Sequence, residues 1–161
     1  MNGLDEHKTQ DRAKVLLFPP LVGLALIITG IVLQIFVPLR ITSATTIILI
    51  AGIIILICGI GLQIVCLRIL RQAKTTPLFQ KPTTNILQSG PYARSRNPIY
   101  IAVFLQFLGL AFIVNTWWLL LFLPVLYVYL RFGVIAHEEL YLEQKFGDEY
   151  RAYQSKVSRW L

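Results

Sequence analysis

Four long apolar runs, at residues 15–39, 47–69, 99–114 and 117–133, restrict what this chain can fold into more than any other feature. In hydrocarbon each backbone N–H and C=O must find a partner inside the protein, so runs of this kind form helices. The first two, of 25 and 23 residues, are long enough to cross a bilayer core, whereas the last two, of 16 and 17, barely span it. With 56% hydrophobic residues, 14% charged and a mean hydropathy of +0.66, the composition does not describe a soluble surface. The expected fold is all-α: a multi-pass membrane bundle of about four transmembrane helices.

The punctuation between the runs gives the organisation. One integral membrane domain over residues 1–161 divides into a polar tail (1–14), a first helical hairpin (15–69), a loop (70–98), a second hairpin (99–134) and C-terminal helices (135–161). The tail mixes Asp5, Glu6 and Asp11 with Lys8, Arg12 and Lys14, which is too polar for a signal peptide's opening. Pro19 and Pro20 fall in the first turn of the first helix, where proline costs little. Gly52, Gly59 and Gly61 in the second run either let a neighbouring helix approach closely or are simply tolerated there. Cys58 and Cys66 are too far apart on one helix to bridge and have no metal-ligand spacing, so they read as apolar fillers.

Charge sets the orientation. Of 15 lysines and arginines, three precede the first run, six lie in residues 68–96 and five lie at Arg131 and beyond, leaving Arg40 alone on the opposite side. The face that collects 14 cations is expected to be cytoplasmic, with both termini and the long loop on it. The net charge of +7 suits anionic lipid headgroups, and no nucleic-acid-binding motif accompanies it.

Within that loop, residues 90–100 pack turn formers, cations and aromatics together: a Gly-Pro-Tyr turn, Arg94 and Arg96, then Asn97 and Pro98 as N-cap and first residue of the third helix. After the fourth run, residues 136–146 place apolar side chains at 136, 140, 142 and 146, extending the fourth helix out of the lipid until Gly147 stops it. Asp148 is then expected to cap a last amphipathic segment, residues 149–157, with Tyr150, Tyr153 and Val157 on one face. That segment either lies on the headgroup layer or closes over a site.

Singly, these polar groups have plain explanations. Arg94 and Arg96 serve as positive-inside anchors, Glu138 and Glu139 as a solvated helix face, and His137 has no second ligand for a metal. No Ser-His-Asp set, phosphate-cradling glycine loop or dinucleotide fingerprint is present. In combination they are more specific. Leu87, Gly90, Tyr92, Arg96, Pro98 and Tyr100, followed after a short hairpin by Glu138, Glu139, Phe146, Gly147, Tyr150 and Tyr153, resemble the isoprenylcysteine carboxyl methyltransferase and phospholipid methyltransferase superfamily of integral membrane enzymes. The resemblance covers residues 77–161.

The resemblance implies S-adenosyl-L-methionine as methyl donor, bound on the cytosolic face between the motif loop and the post-membrane helix. A lipophilic acceptor would arrive from the bilayer. Thr84, Asn85, Ile86, Leu87, Tyr92, Asn97, Pro98, Ile99, Tyr100 and Glu138 become the cofactor contacts, and Arg96 and Glu139 the catalytic candidates. A carboxylate can pair with the donor's cationic or hydroxyl groups, arginine and a helix N-terminus suit its carboxylate, and aromatic faces such as Tyr92 and Tyr100 can hold a sulfonium. Direct displacement at the methyl carbon needs no base for an anionic acceptor; for an amine, Glu139 or His137 is the available base. Two positions depart from the pattern. Asn97 stands where many relatives carry histidine, and Val134 stands where prenylcysteine enzymes carry an acceptor-binding arginine, the nearest here being Arg131, about one turn earlier. A phospholipid amine is therefore an alternative to a prenylcysteine, and a non-catalytic scaffold or a small-molecule transporter are the readings from other classes.

Overall fold

The computed structural model describes residues 18–73 and 85–161. Among these, six helices and two tighter or wider turns follow one another, with no strand. They are α1 (Pro19–Phe36), α2 (Thr45–Gln72), a 3₁₀ turn (Gly90–Ala93), α3 (Pro98–Val114), α4 (Trp117–Val128), a π-helical stretch (Tyr129–Ile135), α5 (Ala136–Phe146) and α6 (Asp148–Lys156). α1 starts at Pro19; residues 15–17 of the first apolar run lie outside the described part. Three helices are long and apolar enough to cross a membrane: α1, the 28-residue α2 and the continuous 30-residue helix Trp117–Phe146. α3 is shorter, at 17 residues. At 1.5 Å per residue α2 runs about 42 Å, more than the hydrocarbon core needs, so an end carrying Arg68 and Arg71 projects beyond it.

Most of the apolar surface of α1 and α2 faces outward: Leu21, Ile28, Ile35, Ile47, Ile54 and Ile57 are all more than half exposed. Beside lipid that exposure costs nothing, so packing rather than hydrophobicity selects the interior. The interior is made by Tyr100, Phe107, Ala111, Leu119, Leu126, Leu130, Val134 and Ile135, drawn from α3, α4 and the π stretch. α2 lies along α3 through glycines. A Cβ on Gly52 would sit 2.8 Å from the Gly109 carbonyl oxygen, and one on Gly59 would sit 3.0 Å from that of Ala102. Gly61 faces open space, so of the two readings of these glycines close approach holds for Gly52 and Gly59 and tolerance for Gly61. Midway along this contact the Gln106 side-chain amide donates to Gln63 Oε1, giving each helix a partner for its polar side chain inside the membrane.

At the end away from the motif loop the two hairpins are clamped together. Asn115, at φ 54°, closes the α3–α4 turn. Its Oδ1 accepts from the Ile41 and Thr42 amides at 3.1 and 3.2 Å, and its Nδ2 donates to the Thr42 carbonyl at 2.8 Å. Thr116 Oγ1 caps α4 by accepting from the Trp118 amide and donates to Gln34 Oε1 at 2.8 Å. Trp118 Nε1 donates to the Val37 carbonyl, and Trp117 is half exposed, as suits residues anchored at a membrane interface.

One expectation at the other end needs correction. Asp148 does not cap α6; Gly147, at φ 52°, occupies the N-cap position, and the exposed Asp148 carboxylate accepts from Arg151 Nε and Nη2 instead. α5 continues the fourth helix to Phe146 as expected, with Glu138 and Tyr141 buried and Leu140 55% exposed. The π stretch, with one more residue per turn than its neighbours, alters the phase of the helix just before α5 begins.

Candidate active site

The site is built where α2 ends, α3 begins and α5 leaves the bundle. The 3₁₀ turn carries Tyr92 down against Cys66 and Leu70 of α2, with Leu87 and Ile99 packed around them. α6 folds back over this turn: Tyr153 Oη donates to the Tyr92 carbonyl at 2.7 Å, and Tyr150, Tyr153 and Val157 enclose Ile86. Burial pushes the Tyr153 phenol up to about 12, and raises the Tyr150 phenol as well, with Glu139 adding to that rise and Arg96 opposing it. The Tyr92 phenol is raised by burial first, then by the negative charge that Cys66, Glu138 and Tyr153 would carry. All three tyrosines therefore stay neutral donors at physiological pH.

Two carboxylates reach this place from the first turn of α5. Glu138 is 5% exposed and accepts from Tyr100 Oη at 2.8 Å, which ties α5 to the first turn of α3. Glu139 binds two arginines. Arg159 grips it with both arms of its guanidinium, Nε to Oε1 at 2.8 Å and Nη2 to Oε2 at 2.9 Å, and this raises the Arg159 pKa. Arg96 Nη1 stands 3.1 Å from Glu139 Oε1 as an ion pair. Arg96 Nε and Nη1 are nonetheless buried with no hydrogen-bond partner among the described residues; His137 Nδ1 is in the same condition.

Asn97 occupies the N-cap position of α3 with Pro98 next, but its side chain makes no cap bond. Its Nδ2 donates instead to the Arg159 carbonyl at 3.0 Å, while its own amide is satisfied by Ser95 Oγ at 3.1 Å. The capping expectation thus holds for position and fails for the side chain, whose amide is turned to the Arg159 carbonyl of the C-terminal segment instead. Of the remaining site candidates, Pro98 is fully buried and Asn85 exposed, and Thr84 lies outside the described residues. Arg131 is not drawn into the cluster: it lies on the π stretch with its Cζ 5.2 Å from the ring centroid of the exposed Phe132.

Ser95 and Arg159 escaped the sequence reading. Arg159 is 20 residues beyond Glu139 and 62 beyond Asn97, separations with no helical periodicity. The family model for phospholipid methyltransferase matches residues 47–149, from early α2 into α6, and so contains both carboxylates and the whole motif loop. The chain belongs to the phospholipid methyltransferase family. That family lies within the isoprenylcysteine carboxyl methyltransferase-like superfamily of integral membrane methyltransferases, so the protein is a helical membrane protein of a methyltransferase family. A Haemophilus influenzae protein described as uncharacterized is 74% identical over 27 residues, which is 17% of this chain and 43% of that relative. The match thus spans less than half of that relative's length. No solved structure matches.

In this phospholipid methyltransferase family member an apolar groove lies close to the polar cluster. It is about 410 Å³, lined by Ile101, Phe104, Leu105, Leu108, Leu123 and Tyr127 between α3 and α4. Trp160 packs on the rings of Phe104 and Tyr127, each at a centroid distance of 5.7 Å, so the segment that supplies Arg159 also touches the groove. No group of three or more metal-ligating side chains occurs among the described residues.

Proposed function

We propose that this protein transfers a methyl group from S-adenosyl-L-methionine to a lipophilic acceptor that enters from the bilayer, at a site on the cytoplasmic face. The observation that carries the reading is the buried hydrogen bond between Tyr100 and Glu138, which joins the two halves of the motif at a single point. The residues fit the donor's chemistry. Glu138 is a buried carboxylate whose side chain receives one hydrogen bond among the described residues, so it retains capacity for an ammonium or ribose hydroxyl. Arg96 Nε is a buried donor without a hydrogen-bond partner among the described residues, suited to a carboxylate. Tyr92 and Tyr100 offer aromatic faces to a cation. When bound, S-adenosyl-L-methionine supplies an electrophilic methyl carbon.

The chain's own groups then align the reactants and exclude water. Glu139 has both oxygens held by Arg159, which assigns it to fixing arginines rather than to taking a proton. For an amine acceptor, His137, with its buried and unpartnered Nδ1, is the better placed base. The apolar groove between α3 and α4 gives an acyl or isoprenoid chain a place beside the site. A phospholipid amine is favoured over a prenylcysteine carboxylate by one observation: Val134 is buried and apolar where the acceptor-binding arginine would stand, and Arg131 lies against Phe132.

Calorimetric titration of S-adenosylhomocysteine into detergent-purified protein tests the reading. Saturable binding is expected in wild type, with a loss of about tenfold or more in a folded Glu138→Gln variant. A folded wild type that does not bind would give the lead to the scaffold reading. Transfer of labelled methyl groups to phosphatidylethanolamine vesicles, compared with a prenylcysteine, separates the two acceptors.

A further inference from the structure

We infer that Arg159 is a positioning residue: it occupies Glu139 so that the Arg96 guanidinium remains available to bind an anion. Arg96 is the more buried of the two cations on Glu139, its side chain 10% exposed against 33% for Arg159. A guanidinium so buried beside a carboxylate ordinarily pairs with it in a two-armed bond. Here the fork of Arg159 takes both oxygens of Glu139, at 2.8 and 2.9 Å, and Arg96 is left with an ion pair at 3.1 Å, a side-chain hydrogen bond with Tyr150, and two buried donor atoms that have no hydrogen-bond partner among the described residues. Leaving such donors unsatisfied is costly unless a ligand takes them. Two guanidiniums share one carboxylate, and the tighter grip of the first keeps the second open.

The geometry also explains how Arg159 is held in place. Its carbonyl accepts from Asn97 Nδ2 at 3.0 Å and from Ser95 Oγ at 3.4 Å. The preceding carbonyl, of Ser158, accepts from the Arg96 amide at 2.9 Å. The following side chain, Trp160, is wedged against Phe104 and Tyr127. Residues 158–160 thus form a strap across the helix entrance, with the Ser158 carbonyl holding the Arg96 amide and the Arg159 side chain sharing Glu139 with the Arg96 guanidinium. Asn97 belongs to this strap, which gives the amide a task that needs no imidazole chemistry.

The ligand part of the assignment rests on the cofactor reading above, so the test has one arm that uses ligand and one that does not. In the first, S-adenosylhomocysteine is titrated into wild type, Arg159→Gln, Arg159→Lys, Glu139→Gln and the Glu139→Gln/Arg159→Gln double variant. Arg159→Gln is expected to weaken binding about tenfold, since Glu139 then captures Arg96, and Arg159→Lys to restore little, because an ammonium cannot grip both oxygens. In the Glu139→Gln background the same Arg159→Gln change is expected to cost less than about threefold, because no carboxylate remains to compete for Arg96. Equal losses in both backgrounds would overturn the positioning role. The second arm follows hydrogen exchange in ligand-free protein. Arg159→Gln should leave exchange at the Arg96 amide within about threefold of wild type, held by the Ser158 carbonyl, while a chain ending at Val157 should speed it at least about tenfold. An Arg96 amide that stays protected in the truncated chain overturns the strap. A wild type that shows this exchange pattern but does not bind the ligand refutes the proposed function and leaves the strap established.

Discussion

Replacing Gly109 by alanine should separate α2 from α3, and the structure sets the size of the effect. A Cβ at Gly109 would lie 2.7 Å from the Leu56 amide nitrogen, 2.9 Å from the Gly52 carbonyl oxygen and 2.9 Å from the Leu56 Cα. Optimal carbon contacts begin near 3.5 Å, so the new methyl group is about 0.8 Å too close. All three atoms are main chain, and no side-chain rotation can relieve the contact. The helices must move apart along a contact that includes the Gln63–Gln106 bond and ends at the Cys66–Leu70–Tyr92 cluster supporting the motif turn. Overpacking of this kind costs about 1–3 kcal/mol, and the rigidity of the neighbours places it near the upper end, on the order of a hundredfold in the folded-to-unfolded ratio. Gly61→Ala is the internal control. Nothing lies within 4 Å of its Cβ position, so the change should be neutral or stabilise by up to about 1 kcal/mol through reduced freedom of the unfolded chain. Unfolding by sodium dodecyl sulfate in mixed micelles, followed by circular dichroism, measures both. A Gly109→Ala variant as stable as Gly61→Ala would refute the claim that backbone proximity governs this interface.

Other perturbations address the two ends of the bundle. Tyr153→Phe removes the hydrogen bond to the Tyr92 carbonyl and should destabilise by about 1 kcal/mol, read as faster hydrogen exchange in α6 with little change in α1. The same phenol gives docking of α6 a pH limit. Its pKa is about 12 folded against an ordinary value of 10, so the unfolded segment loses its proton first and stability is full below pH 10, then falls between about pH 10 and 12. Tyr153→Phe should abolish that portion of the alkaline loss, and an unchanged profile would remove Tyr153 from it. At the opposite end, Asn115→Ala should cost about 3 kcal/mol in the same unfolding assay, because it combines left-handed strain with the loss of three bonds to residues 41 and 42. Asn115→Gly relieves only the strain and should recover about 1 kcal/mol of it.

The elements were legible in the sequence because each is marked locally. Apolar runs bounded by Asn97-Pro98, Asn115-Thr116 and Gly147 gave both ends of α3, the start of α4 and the end of α5 to within a residue or two, while the π stretch between α4 and α5 carries no such mark. The residue types of the motif loop and of the Glu138-Glu139 pair pointed to one site, and the fold brings them together through Tyr100. What failed has a common physical origin. In a helix surrounded by lipid the outer face is as apolar as the inner one, so periodicity in hydrophobicity cannot separate Gly59 from Gly61. Tight packing is instead detected by the space a side chain would need, which sequence does not state.

The sequence by itself determined that the chain is a membrane bundle, where its helices turn, and which family its motifs belong to, because hydrocarbon leaves the backbone few alternatives and the turn residues are conformationally specific. Only the tertiary structure decided the partners: Asn97 to the Arg159 carbonyl rather than to its own helix, Glu139 to Arg159 before Arg96, and Trp160 against the groove. Those pairings join residues up to 62 positions apart, and a charged or polar side chain buried at such a junction takes whichever donor or acceptor the packing delivers.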